Sequence, residues 1–154
     1  MIEDLQFFVT LASLGASAAA LITAGLVYHQ IRHTKRSYEV DLTLRLTEHF
    51  HRDKNMQKIS TAITFDQPIL KDNGGKTDED DLIEYLGIFV DVMRFVDMGV
   101  LTIETVDDLF WAYVEDLIDN KEIKEYIKEV QKDQGEDAWS GIKALYEELK
   151  KLNS

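Results

Sequence analysis

Apolar and polar positions follow a helical period along nearly the whole chain. The first element is Phe7 to Val27, FFVTLASLGASAAALITAGLV, a run without a single charged residue. At 1.5 Å per residue, about 21 residues is the length a helix needs to cross a hydrocarbon layer of about 30 Å. No Gly or Pro follows between Val27 and Gln67. The same helix is therefore predicted to continue through His29, Arg32 and Arg36 to about Phe50. From Leu5 it would measure about 70 Å and project into the cytosol. Ile31, Tyr38, Leu42, Leu46 and Phe50, spaced by seven or four, form an apolar stripe on this extension.

Asp53 is placed to cap a short helix from Lys54 to about Ile63, with Met56, Ile59 and Ile63 inward. Phe65 to Lys76 is the main break, holding Pro68 and the turn Asp72-Asn73-Gly74-Gly75. Thr77 is the expected cap of the next helix, about Glu79 to Met98, whose first turn is crowded with acids suited to the positive end of the helix dipole. Its apolar set is Leu82, Ile83, Leu86, Phe89, Val90, Met93 and Val96. Polar residues keep to a thin stripe through Glu84, Gly87, Asp91 and Arg94, the pattern of a helix central to a core. Gly99 closes it. Thr102 caps a further helix with Val106, Leu109, Phe110, Tyr113, Val114 and Leu117 inward. Asp119-Asn120 separates it from a charged helix, Lys121 to Lys132, carrying Ile123, Ile127 and Val130 and ended by Gly135. A last helix, about Asp137 to Leu152, aligns Trp139, Ile142, Tyr146 and Leu149.

No strand pattern, repeat or low-complexity tract competes. The fold class is all-α: one N-terminal transmembrane helix continuing into a long helix, then a cytosolic helical bundle of about five segments. The domains are an anchor with its basic exit, residues 1–36, and a cytosolic α-helical domain, residues 37–154. Within the span, Ala12, Ala16, Ala20 and Ala24 recur every four residues, and Ser17 widens the stripe. Small residues let helix backbones approach closely in lipid, so this face is the expected site of self-association.

Charge sets the orientation. Only Glu3 and Asp4 precede the span, while Arg32, Lys35 and Arg36 follow it. A cleaved signal would begin with basic residues and end its apolar run at the cleavage site; this run continues past Ala16-Ser17-Ala18. The expectation is an uncleaved single-pass anchor in the cell (inner) membrane, with the N-terminus outside and the C-terminal domain cytoplasmic. Net charge is −12, and with three basic and two acidic residues before Ser37, the remainder carries −13. Such a surface repels nucleic-acid phosphates at long range, so no nucleic-acid partner is expected. Absence of cysteine excludes disulfides, thiolate nucleophiles and zinc–thiolate sites.

Candidate chemistry is sparse. His29 and His33 share the i, i+4 spacing of a helical metal pair, but their neighbours Arg32, Lys35 and Arg36 are cationic, and no metal or other cofactor is expected. Arg45 and His51, separated by LTEHF, match the arginine–histidine spacing of the helical HEPN ribonuclease superfamily and are the only catalytic candidates. The acidic segment Asp72 to Asp81 lacks the alternating oxygen ligands of a helix–loop–helix calcium site and reads as a solvated loop. Trp111, Tyr113, Trp139 and Tyr146 fit a core better than a ligand cage. Arg94, flanked by Asp91 and Asp97, is read as an ion pair on the polar stripe or as a buried cation contacting an acidic ligand or partner. No phosphate loop or serine–histidine–acid signature is present.

The span, the exit YHQIRHTKRSYEVDLTLRLTEHF, the block YLGIFVDVMRFVDMGVLTIETVDDLF and the late AWSGIKALYEEL together resemble a poorly characterised group of small prokaryotic membrane-anchored all-helical proteins, a domain of unknown function. The resemblance implies an anchored helical fold and brings no reaction, cofactor or catalytic residue. The expected function is a non-enzymatic, membrane-anchored interaction or scaffold module. It would be homo-oligomeric in the bilayer and recruit a cytosolic protein partner. The alternative is a membrane-associated effector, either a HEPN-like ribonuclease through Arg45 and His51 or an oligomeric pore.

Overall fold

A computed structural model describes residues 2–153, those from 2 to 25 by their backbone alone. Six helices succeed one another: α1 (Ile2–Arg52), α2 (Lys54–Thr64), α3 (Glu79–Asp97), α4 (Ile103–Asp119), α5 (Lys121–Gln134) and α6 (Ser140–Leu152). A short 3-10 turn, Lys71–Asn73, lies between α2 and α3. Among the described residues the sole extended pairing is one parallel bridge, Leu70 with Thr77. The all-α class therefore stands. No helix among the described residues is long and apolar enough to cross a membrane. The side chains of the predicted span, those of Ala12, Ala16, Ser17, Ala20 and Ala24 among them, lie outside the described residues except at Leu26 and Val27.

The chain divides into two units, Met1–Val40 and Asp41–Ser154. In the first, Tyr28, Ile31 and Tyr38 are exposed. The second holds the core. There α3 packs against α2, α4 and α6, and α4 packs against α2, α5 and α6. Leu82, Leu86 and Phe89 are buried as predicted, joined by Tyr85, Ile88 and Val92. Ile83, expected inward, is exposed instead. The last part of α1 contributes Phe50, 3% exposed, with Leu42 and Leu46 partly covered above it. The Phe50 ring meets those of Tyr113 at 4.6 Å, Tyr85 at 5.6 Å and Phe110 at 5.9 Å, mostly edge-on, as the aromatic quadrupole favours. Val106, Phe110, Val114 and Leu117 bury the inner face of α4.

Local chemistry explains the boundaries. Asp53 Oδ1 accepts from the amides of Asn55 at 2.7 Å and Met56 at 3.1 Å, capping α2. Thr102 Oγ1 accepts from Thr105 at 3.2 Å, and Asn120 Oδ1 accepts from Ile123 at 3.1 Å. Thr77 does not cap α3; the position falls to Asp78, whose carboxylate makes no capping bond. Thr77 is committed to the bridge, its N–H donating to the Ile69 carbonyl at 3.0 Å. The Asp78 carboxylate turns to Lys71 Nζ, at 2.6 Å. At the start of α6, Trp139 is not the inward helical residue expected. It occupies the N-cap with φ 63°, in the left-handed region.

Candidate functional site

The residues singled out from sequence do not assemble into a catalytic centre. Arg45 is exposed and bonded to Asp41 at 2.9 Å, one turn back on α1. His51 is exposed, its Nδ1 2.9 Å from the Thr47 carbonyl. Six residues apart on one helix, the two side chains point about 120° apart. They would have to leave their present partners to meet at one phosphodiester. Arg94 is exposed, not buried, and donates to Asp91 at 2.9 Å; the stripe ion pair is the arrangement found. The His29 and His33 rings lie 6.5 Å apart, and among the described residues no group of three potential metal ligands exists. Arg32, Lys35 and Arg36 are exposed.

The aromatics also separate. Tyr113 joins the Phe50 cluster, whereas Trp111 and Tyr146 stack at 6.0 Å and 7°. Tyr146 and Trp139 both line a groove of about 580 Å³ between α5 and α6. Its apolar surface comes from Ile118, Ile127 and Ile142 together with those two aromatics. Lys124, Lys128 and Lys143 bring positive charge, against Glu136 and Glu147. Lys124 is held by Asp119, through the main-chain carbonyl at 3.3 Å. Lys128 and Lys143 make no ion pair among the described residues.

The turn that presents Trp139 is tightly specified. Gly135 ends α5 at φ 107°, a value that an L side chain rarely adopts. Gln131 Nε2 donates to the carbonyls of Ala138 at 2.9 Å and Glu136 at 3.2 Å, fixing the connection from inside. Trp139 is thereby held left-handed, a conformation costing about 1–3 kcal/mol for a bulky residue. Its indole N–H is buried without a hydrogen-bond partner. Backbone strain and an orphaned donor in one residue beside a groove mark the α5–α6 junction as the leading candidate for a functional surface. Sequence reasoning placed Trp139 in a regular helix and missed this. The Gly135 break three residues before Ala138 was the available signal.

Sequence and structure comparisons identify no relative. No family model matches the chain, and neither a curated protein nor a solved structure does.

Proposed function

We propose that this chain is a single-span, membrane-anchored helical interaction module whose bundle faces the cytosol, and that it is not an enzyme. The observation that carries the anchor is the charge-free run Phe7 to Val27 followed by Arg32, Lys35 and Arg36. The small-residue stripe through Ala12, Ala16, Ser17, Ala20 and Ala24 supports self-association in the bilayer. The α5–α6 groove supports the recruiting role. Its apolar wall and lysines suit an amphipathic segment with acidic flanks on a cytosolic protein. Although the bundle is acidic overall, salt screens charges beyond about 8–10 Å, so the nearby lysines dominate at contact. The dispersed Arg45, His51 and Arg94 favour this reading over a nuclease.

Native membranes containing the full chain with Ser17→Cys test the proposal, since no native cysteine competes. Retention in the pellet after alkaline carbonate washing, together with an oxidative dimer, is expected. Release into the supernatant rejects the anchor. Retention with a reactive but uncrosslinked thiol rejects self-association along that stripe.

A further inference from the structure

The protein has 29 acidic and 17 basic residues, yet one of its cavities has no carboxylate in its wall. This cavity, of about 520 Å³, lies between α2 and the segment from Gln67 to Thr77. Lys54 and Lys58 line it from adjacent turns of α2, and Lys76 lines it from the loop side. Lys54, Lys58 and Lys76 make no ion pair among the described residues; Lys58 Nζ donates to Asn55 Oδ1 at 3.3 Å and acts on the Asp53 carboxylate only through space. Lys71, nearby in sequence but outside the wall, is neutralised by Asp78. In so acidic a chain, carboxylates are abundant partners for lysine. Three lysines around one concavity with no carboxylate in its wall and no ion pair are an electrostatically open arrangement.

The far wall is built to hold its shape. A Cβ on Gly75 would stand 2.2 Å from the Ile69 carbonyl oxygen, so the backbone there passes closer than any side chain permits. Gly74 turns the chain at φ 89°. Glu122, reaching over from α5, accepts from the amides of Ile69 at 2.8 Å and Leu70 at 2.9 Å and from Asn73 Nδ2 at 2.7 Å. That carboxylate secures the loop from outside the cavity, whose wall holds no acid. Thr61 and Gln67 add neutral polar groups to the wall.

We propose that this cavity binds a phosphate-bearing anion through Lys54, Lys58 and Lys76. Lysine is a compact, mobile point charge, suited to a phosphate whose oxygens are approached from several sides. The volume lies within the range of small-molecule pockets, so the phosphate arrives on a larger polar body. That body is either a soluble phosphoester or a phospholipid headgroup; the recognition chemistry is the same. The proposal stands independently of the membrane anchor, because every residue involved lies in the second unit.

The test follows the amide resonances of Gly74, Gly75 and Lys76 in the full chain held in phosphatidylcholine bicelles. One arm adds inorganic pyrophosphate; the other replaces part of the lipid with phosphatidic acid. Saturable shifts are expected in at least one arm, and the responding arm assigns the source. Lys76→Gln and Lys58→Gln should each weaken the response about tenfold, the loss of one charge-assisted contact. Lys132→Gln, on α5 and outside both concavities, should leave it unchanged. These lysines are exposed, so the variants retain the fold. Absence of saturable shifts in both arms overturns the proposal. So does an equal loss in Lys132→Gln, which would mean diffuse attraction to positive charge.

Discussion

Trp139 shows how much one residue can depart from its sequence pattern. Its spacing from Ile142, Tyr146 and Leu149 is helical, yet it stands at the N-cap of α6 with positive φ and an unpartnered indole N–H. Removing the orphaned donor while keeping an aromatic ring should not harm the fold. Trp139→Phe is expected to leave stability unchanged or raise it by about 1 kcal/mol in urea denaturation. A large destabilisation would show that the N–H has a partner in solution. Tyr126 supplies a pH readout. Burial, reinforced by its 3.2 Å hydrogen bond to Glu79, pushes the phenol up to about 12 from the ordinary 10.0. A raised folded value means the stabilisation is complete below pH 10 and declines as pH rises from 10 towards 12. Spectroscopic titration of wild type against Tyr126→Phe should show one late-titrating phenol lost and a weaker alkaline decline of stability. Neither position was legible as special, because partnerless or shared protons depend on atoms distant in sequence.

At the scale of elements, caps and connections carry the specificity. The amides of Met56 and Asn55 hold the Asp53 carboxyl below its ordinary 3.8. A depressed folded value means the cap contributes fully above pH 3.8 and is lost as pH falls below it. Asp53→Ala should cost about 1 kcal/mol at neutral pH, and the difference from wild type should shrink in acid, as denaturant titrations at several pH values would report. Glu122 has a longer reach. Three donors from the loop Ile69 to Asn73 converge on it, so Glu122→Gln should destabilise by about 2–3 kcal/mol. Amide exchange should quicken at Ile69 and Leu70 before it does in α3. Asp53, Thr102, Asn120 and Gly135 were readable in sequence because each acts on amides within its own turn or on its own φ. Glu122 was not, since its partners lie about fifty positions away. Thr77 was misassigned for the same reason: the bridge with Leu70 outweighed its local capping preference.

For the whole molecule, Phe50 is where the end of α1 joins the bundle core. Its ring contacts aromatic residues on both α3 and α4, and it is almost wholly buried. Phe50→Ala should cost about 3–5 kcal/mol in the second unit, measured by chemical denaturation, because the surrounding rings cannot collapse into the space. Loss of less than about 1 kcal/mol would mean that α1 ends independently of the bundle. The charge distribution belongs to this scale too. A chain of net charge −12 discourages anionic ligands at a distance, while two concavities, at α5–α6 and beside α2, gather its lysines locally. Partner and ligand specificity are therefore expected at contact range and not through long-range steering.

The sequence alone determined the helical class, the central place of α3 and most helix ends. Hydrophobic period and capping chemistry operate over a few residues and need no knowledge of the rest of the chain. The charge-free run and its basic exit are likewise properties of consecutive residues. Tertiary structure decided what becomes of the side chains that have a choice. Asp78 turned to Lys71, and Glu122 reached the loop from Ile69 to Asn73. Lys54, Lys58 and Lys76 were left facing one cavity. A charged side chain settles by the nearest available partner in space, and distance in space is the quantity that only the folded chain sets.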